Sequence, residues 1–146
     1  MMYRKTIPVL WFAAAFSLSS CAPPERSPSG FRLPEGDAEA GQAAFLELQC
    51  NACHEVRGLD LPGPVADPPV PVALGGTVDY QPTDGRFVTS IINPSHKLAP
   101  GYPKERIVSG GISRMADYND VMTVRQLVDL VAFLHSRYEF VPRTTH

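Results

Sequence analysis

Apolar residues recur at helical spacing in three stretches of the chain and are irregular between them. Gly41, Phe45 and Leu48 fall on one face by three- and four-residue steps, which predicts a first helix over Asp37 to Leu48. Asp37 suits the N-cap, and Glu39 sits in the first turn, where the helix dipole favours a negative charge. A second helix is predicted over Thr83 to Asn93, with Phe87, Val88, Ile91 and Ile92 as its apolar side and Pro94 enforcing the stop. The strongest signal comes last. Val124, Leu127, Leu130, Val131, Leu134 and Tyr138 form a stripe. Thr123 and Gln126 make a capping box ahead of it, and Met122 and Leu127 suit the hydrophobic staple. Residues 61–76 hold five prolines and several glycines, a composition read as neither regular helix nor strand.

The N-terminus follows a different logic. Arg4 and Lys5 precede an apolar run from Ile7 to Phe16 that is too short to cross a bilayer comfortably, which is the pattern of an export signal. The run ends Leu18-Ser19-Ser20-Cys21, which resembles the bacterial lipoprotein signal. That resemblance implies cleavage after residue 20 and acylation of Cys21, and several acyl chains together give durable anchoring. Ala22 stands where an inner-membrane retention signal in that family often has Asp, so the outer membrane is favoured over the inner, with the protein facing the periplasm. Residues 21–36 are rich in Pro, Ser and charge and read as a flexible tether. The expected organisation is a signal over 1–20, the tether over 21–36, one domain over 37–140 and a tail over 141–146.

Charge and cysteine count change the picture in two ways. Without the first twenty residues the chain carries 11 basic against 15 acidic side chains, which gives no basic face for nucleic acid. Three cysteines make no disulfide framework. Two tasks account for them, with Cys21 in one and Cys50 with Cys53 in the other.

Cys50-Asn51-Ala52-Cys53-His54 is a C-x-x-C-H sequence, the attachment signal of a c-type haem. Two thiols on a short helical turn can add across the two vinyl groups, and the next residue then directs its imidazole at the iron. Zinc wants four ligands, usually from two paired motifs, and no second Cys pair exists. A redox C-x-x-C belongs in a strand–helix unit, whereas the segment before Cys50 reads as a helix.

With these residues in place the chain resembles a class I c-type cytochrome. That family crosses its first and last helices through a glycine and aromatic residues, and Gly41, Phe45, Leu130 and Phe133 match those positions. The resemblance covers about residues 36 to 138. It implies an all-α cytochrome c fold around one covalent haem. It also implies that the carbonyl of Pro64, in Gly63-Pro64, accepts a hydrogen bond from the ligating imidazole. The family often places its Met ligand three residues before an aromatic and about eight before the last helix, which Met115 and Tyr118 match. The usual Met-Pro pair is Met115-Ala116 here, a departure in the ligand loop. Met122 is the second choice of axial ligand, its position before the helix being explained by the staple. His96 in a polar loop and His135 on the last helix read as solvated surface residues.

The function implied is that of an electron carrier and not an enzyme. It would pass single electrons between membrane or periplasmic redox partners through one covalent haem c. An alternative is an electron-transfer subunit of an oxidase or periplasmic dehydrogenase complex. Pro94 and Gly101-Tyr102 resemble a segment of cytochrome c domains fused to oxidase subunits. A haem-based ligand-binding sensor is a further alternative and requires an open sixth site. If Cys21 carries the lipid, Cys21→Ser is expected to move the protein from the membrane to the soluble fraction on cell fractionation. Undiminished membrane retention would contradict acylation as the anchor.

Overall fold

The computed structural model describes residues 31–62, 71–80 and 82–142. Cys21, Pro64 and the tail from residue 143 onward therefore lie outside the described residues. The elements run α1 (Ala38–Glu47), a 3-10 turn (Cys50–Ala52), β1 (His54–Val56), β2 (Val72–Leu74), β3 (Gly76–Val78) and α2 (Asp84–Ile92). They continue with α3 (Lys104–Ile107), β4 (Val108–Ser109), β5 (Ile112–Ser113), α4 (Val124–His135) and β6 (Tyr138–Phe140).

An all-α chain in the cytochrome c fold is not what forms. Among the described residues three two-stranded sheets accompany the helices: β1 with β2 and β3 with β6 in parallel, and β4 with β5 antiparallel. Each strand has two or three residues, too few for alternation of apolar and polar positions to register in the sequence. The region from 61 to 76, expected to hold no strand, contributes Val72–Leu74 and the start of β3. The reason lies in the backbone: the segment from residue 71 onward still has peptide groups that need partners. His54 pairs with Val72 and Val56 with Leu74, so the returning loop finds them beside the cysteine motif. Gly75 and Gly76, at φ 81° and 92°, carry the chain from β2 into β3 through a backbone region closed to most residues.

The helices start where the local chemistry directs. Asp37 accepts hydrogen bonds from the Glu39 and Ala40 amides. Thr83 caps α2 through the Arg86 amide. Thr123 and Gln126 form the complete capping box of α4, at 3.1 and 2.9 Å. Met122 and Leu127 line one shallow cleft and both pack on the core, in keeping with a staple.

The core lies where α1 packs on α4 and α2 closes over them. Phe45 and Phe133 meet with ring centroids 5.6 Å apart, and Phe133 is 1% exposed. Gly41 makes this contact possible. A Cβ there would sit 1.9 Å from the Asp129 carbonyl oxygen and 2.7 Å from Phe133 Cβ. Asp129 is buried and accepts the Asp37 amide at 2.9 Å, with Arg125 3.7 Å away. A buried carboxylate so partnered ties the start of α1 to the middle of α4.

Three details depart from expectation. Val124 is 77% exposed, while Val128, which the stripe left out, takes the buried side of α4, because the helix turns its face towards α1. His135 is not a free surface residue: Nε2 lies 2.9 Å from Asp84 Oδ1 and the ring meets Phe87 edge-on at 4.8 Å. Residues 31–36, read as the end of the tether, lie against the domain. Leu33 packs on the core, and Gly36 lies so close to α4 that a Cβ would fall 2.6 Å from the Val128 carbonyl. Among the described residues no helix is long and apolar enough to cross a membrane.

Gly41→Ala must push two helices apart against immovable backbone. Overpacking of this kind costs about 1–3 kcal/mol, to be read as a lowered midpoint of urea unfolding. A change within about 0.5 kcal/mol would contradict the close helix contact.

Candidate functional site

The site grows out of the end of α1. Leu48 closes the helix, and Gln49 then enters the left-handed region at φ 56°, the only non-glycine among the described residues to do so. Its amide bonds the Leu46 carbonyl at 3.0 Å, one of the bonds that commonly terminate a helix. The left-handed residue turns the chain sharply into the 3-10 turn, where Ala52 N–H reaches Gln49 O at 3.0 Å and Cys53 N–H reaches Cys50 O at 3.2 Å. A 3-10 turn has three residues per revolution, so positions three apart lie on one side. Cys50 and Cys53 are three apart, and both are free thiols.

The two cysteines differ in environment. Cys50 is half-buried and packs on the core, whereas Cys53 is exposed. Burial pushes the Cys50 thiol up to about 11, with a hydrogen bond from Tyr118 acting in the opposite direction. The Tyr118 phenol is itself pushed up to about 12, by burial first and then by the neighbouring sulfurs. Both groups therefore keep their protons at neutral pH. A redox-active C-x-x-C instead lowers the pKa of its attacking thiol. The order of elements also differs from a strand–helix redox unit, since here a helix precedes the motif and a strand follows it.

His54 opens β1, and its position is held by the ladder. Val72 N–H donates to the Cys53 carbonyl at 2.7 Å, and Arg57 N–H to the Leu74 carbonyl at 2.9 Å. The imidazole Nδ1 then lies 3.2 Å from the Val72 carbonyl oxygen. A carbonyl can only accept, so this contact assigns the proton to Nδ1 and leaves Nε2 with a free lone pair. Burial lowers the His54 pKa from its ordinary value of 6.5, against the opposing effect of the Val72 carbonyl. A neutral imidazole with its Nε2 lone pair free is the ligating form.

The loops around the motif are pinned to it. Asn51 Nδ2 donates to the Pro62 carbonyl at 2.9 Å. Ala73 N–H donates to the Tyr102 hydroxyl at 3.1 Å, attaching the segment after α2 to β2. Met115 is half-buried in the loop after β5, where its amide donates to Ser113 Oγ at 3.2 Å. It is not among the residues packed on the core, whereas Met122 is. Tyr118, three residues beyond Met115, reaches Cys50 and also accepts the Val121 and Met122 amides through its carbonyl. His96 is exposed.

Cys50, Cys53 and His54 are thus brought together on one turn and the adjoining strand, and the Met115 loop is joined to them through Tyr118. Cys21 and Pro64 are outside the described residues, and within those residues the partner of His54 Nδ1 is Val72. Nothing in the sequence marks Val72, because its contribution is a backbone carbonyl. Tyr102 and Tyr118 entered the sequence reading only through the family resemblances, and the partners of their hydroxyls carried no signal there. Two clefts, of about 150 and 120 Å3, are lined by Ile92, Asn119, Met122 and Leu127 and by Leu33, Asp84 and His135, and neither is lined by a residue of the motif. Among the described residues no three His, Cys, Asp or Glu side chains are grouped to hold a bare metal ion.

No protein-family model, curated protein or solved structure matches the chain.

The fold favours neutral His54. The unfolded chain takes up a proton first as pH falls through 6.5, so this contribution to stability is complete above 6.5 and declines below it. The haem-free chain should lose unfolding free energy as pH drops below 6.5, and His54→Gln should flatten that slope in urea titrations. An unchanged slope would contradict the burial of His54 as a neutral group.

Proposed function

We propose that the chain is a monohaem c-type cytochrome that carries single electrons between membrane or periplasmic redox partners. One observation supports this above the others. The imidazole of His54 is engaged at Nδ1 by a backbone carbonyl and so offers Nε2, directly beside two free thiols on one turn. Thioether attachment needs two such sulfurs, and axial ligation needs a neutral imidazole whose outer nitrogen is held. A haem brings four equatorial nitrogens with its iron, so the chain has only two ligands to supply.

When bound, haem supplies a reversible one-electron iron couple. The tasks left to the polypeptide are fixing, orienting and tuning. Cys50 and Cys53 would hold the group through two thioether bonds, and His54 would ligate its iron through Nε2, with the ring fixed by Val72. Met115 would supply the chain's second iron ligand: it is half-buried in a loop held by Ser113, and the core makes no claim on it. Met122 is engaged by the core and the mouth of α4. Acylated Cys21 would tether the domain to a membrane on the periplasmic side.

The test is a reduced-minus-oxidised spectrum of protein made in a host that matures c-type cytochromes. The reduced protein should be low-spin and should not bind carbon monoxide at neutral pH. Met115→Ala should turn it high-spin and open to carbon monoxide. Met122→Ala should leave the spectrum intact and cost about 2 kcal/mol or more of stability, as for loss of packed apolar volume. The reverse pattern would assign the ligand to Met122, and carbon monoxide binding by the unaltered protein would favour a ligand-binding role.

A further inference from the structure

Eight large apolar side chains are exposed among the described residues, and half of them gather at the start of α2. These are Phe31, Tyr80, Phe140 and Val141, each between 44 and 49% exposed. A Cβ built on Gly85, in the first turn of α2, would lie 3.9 Å from the Phe31 ring. The next residue, Arg86, sets its guanidinium over the Tyr80 ring, 4.6 Å from the centroid. Val78, two residues before Tyr80, pairs with Phe140 and accepts the Val141 amide at 2.9 Å. Phe87 meets Tyr138 of the same strand with ring centroids 5.5 Å apart, which lays β6 beside the helix. Apolar residues scattered singly over a surface need no explanation, but an aromatic group collected at one end of a helix does.

The same end is where the N-terminal segment meets the domain. Leu33 packs on the core and Gly36 lies against the Val128 carbonyl, so the chain is held from there on. Ten residues separate Phe31 from Cys21. Fully extended they span at most about 35 Å, roughly the width of a small domain. A lipid on Cys21 therefore keeps this end of the domain nearest to the bilayer. The charges around the patch are mixed, Arg32 and Arg86 against Asp79, Asp84 and Glu139, and Asp84 is engaged by His135. Neither sign dominates, so what this face offers is its apolar and aromatic surface.

We propose that Phe31, Tyr80, Phe140 and Val141 form a membrane-resting face that seats the domain on the phospholipid interface. The inference rests on the acylation of Cys21 proposed above. Aromatic rings suit the headgroup level, where an apolar body and a wet edge are both satisfied. Four side chains make a weak contact by themselves, but the tether turns adsorption into an intramolecular event at high effective concentration. A bilayer is the occupant favoured over a protein because the tether brings lipid to this end of the domain. The consequence is an orientation. The other end of α2 lies about 13 Å further along the helix, and there Asn119 bonds the Ile92 carbonyl. The loop that carries Met115 is joined at that far end and so is held off the lipid.

Photocrosslinking in the native membrane tests this. A benzophenone amino acid is placed in the full chain in place of Phe140 and, separately, in place of Val121, which is exposed near the far end of α2. Membranes are irradiated, and the mass of the purified chain reports what was captured. The probe at 140 should gain a phospholipid at least about fivefold more often than the probe at 121. Equal yields at the two positions would show a domain that tumbles on its tether and would overturn the proposal. Membrane-held protein without a lipid adduct at 140 would overturn it as well, while leaving the acylation of Cys21 standing. Capture of a second polypeptide at 140 in place of lipid would assign the face to a protein and overturn the membrane contact. Soluble protein with an unmodified Cys21 would refute the acylation reading and the proposal together. None of these readouts depends on haem.

Discussion

The closeness of α1 to α4 is the constraint on which everything else is built. Gly41 has no side chain, so its backbone lies against the Asp129 carbonyl, and the Asp129 carboxylate binds the amide of Asp37 at the start of the same helix. These contacts, with Phe45 on Phe133, fix both the axis and the rotation of α1. Its last turn then has one direction in which to leave. Gln49 takes the strained left-handed conformation there, at a cost of about 1 kcal/mol or more for a residue with a Cβ. The next five residues are the cysteine motif. A core contact some ten residues away thus decides where the two sulfurs and the imidazole stand.

The returning loop completes what α1 begins. A three-residue parallel ladder is weak as a sheet, and its value is positional. It sets the Val72 carbonyl opposite His54 and so selects the tautomer that frees Nε2. Tyr118 reaches the Cys50 sulfur from the loop of Met115, so the two sides of the proposed haem site are in contact before any cofactor is considered. Packing, ladder and loop each contribute one orientation, and together they suit covalent attachment better than redox cycling of the thiols.

Much of this was legible from residue spacing alone. The three long helices and the caps of the first and last follow from periodicity and from side-chain chemistry that acts over three or four residues, whereas the packing of Gly41 on the last helix was implied only by the family resemblance. The C-x-x-C-H motif is likewise local. The strands were not legible, because two or three residues carry no period, and the partners in the two parallel pairs lie 18 or more residues away in the chain. The Val72 acceptor is invisible for the same reason: a carbonyl has no letter of its own. His135 misled because a histidine on a helix says nothing of the Asp84 and Phe87 that tertiary packing brings to it. Val124 misled because a stripe read at even spacing does not reveal which edge the neighbouring helix will cover.

The central claim is that one haem is bonded to Cys50 and Cys53 with His54 on its iron. Intact mass spectrometry under denaturing conditions, with thiol alkylation, tests it most directly. The account predicts a chain heavier by one haem, with neither Cys50 nor Cys53 alkylated. A chain of bare polypeptide mass in which both cysteines take up the alkylating reagent, after production alongside a functioning haem-attachment system, would contradict it.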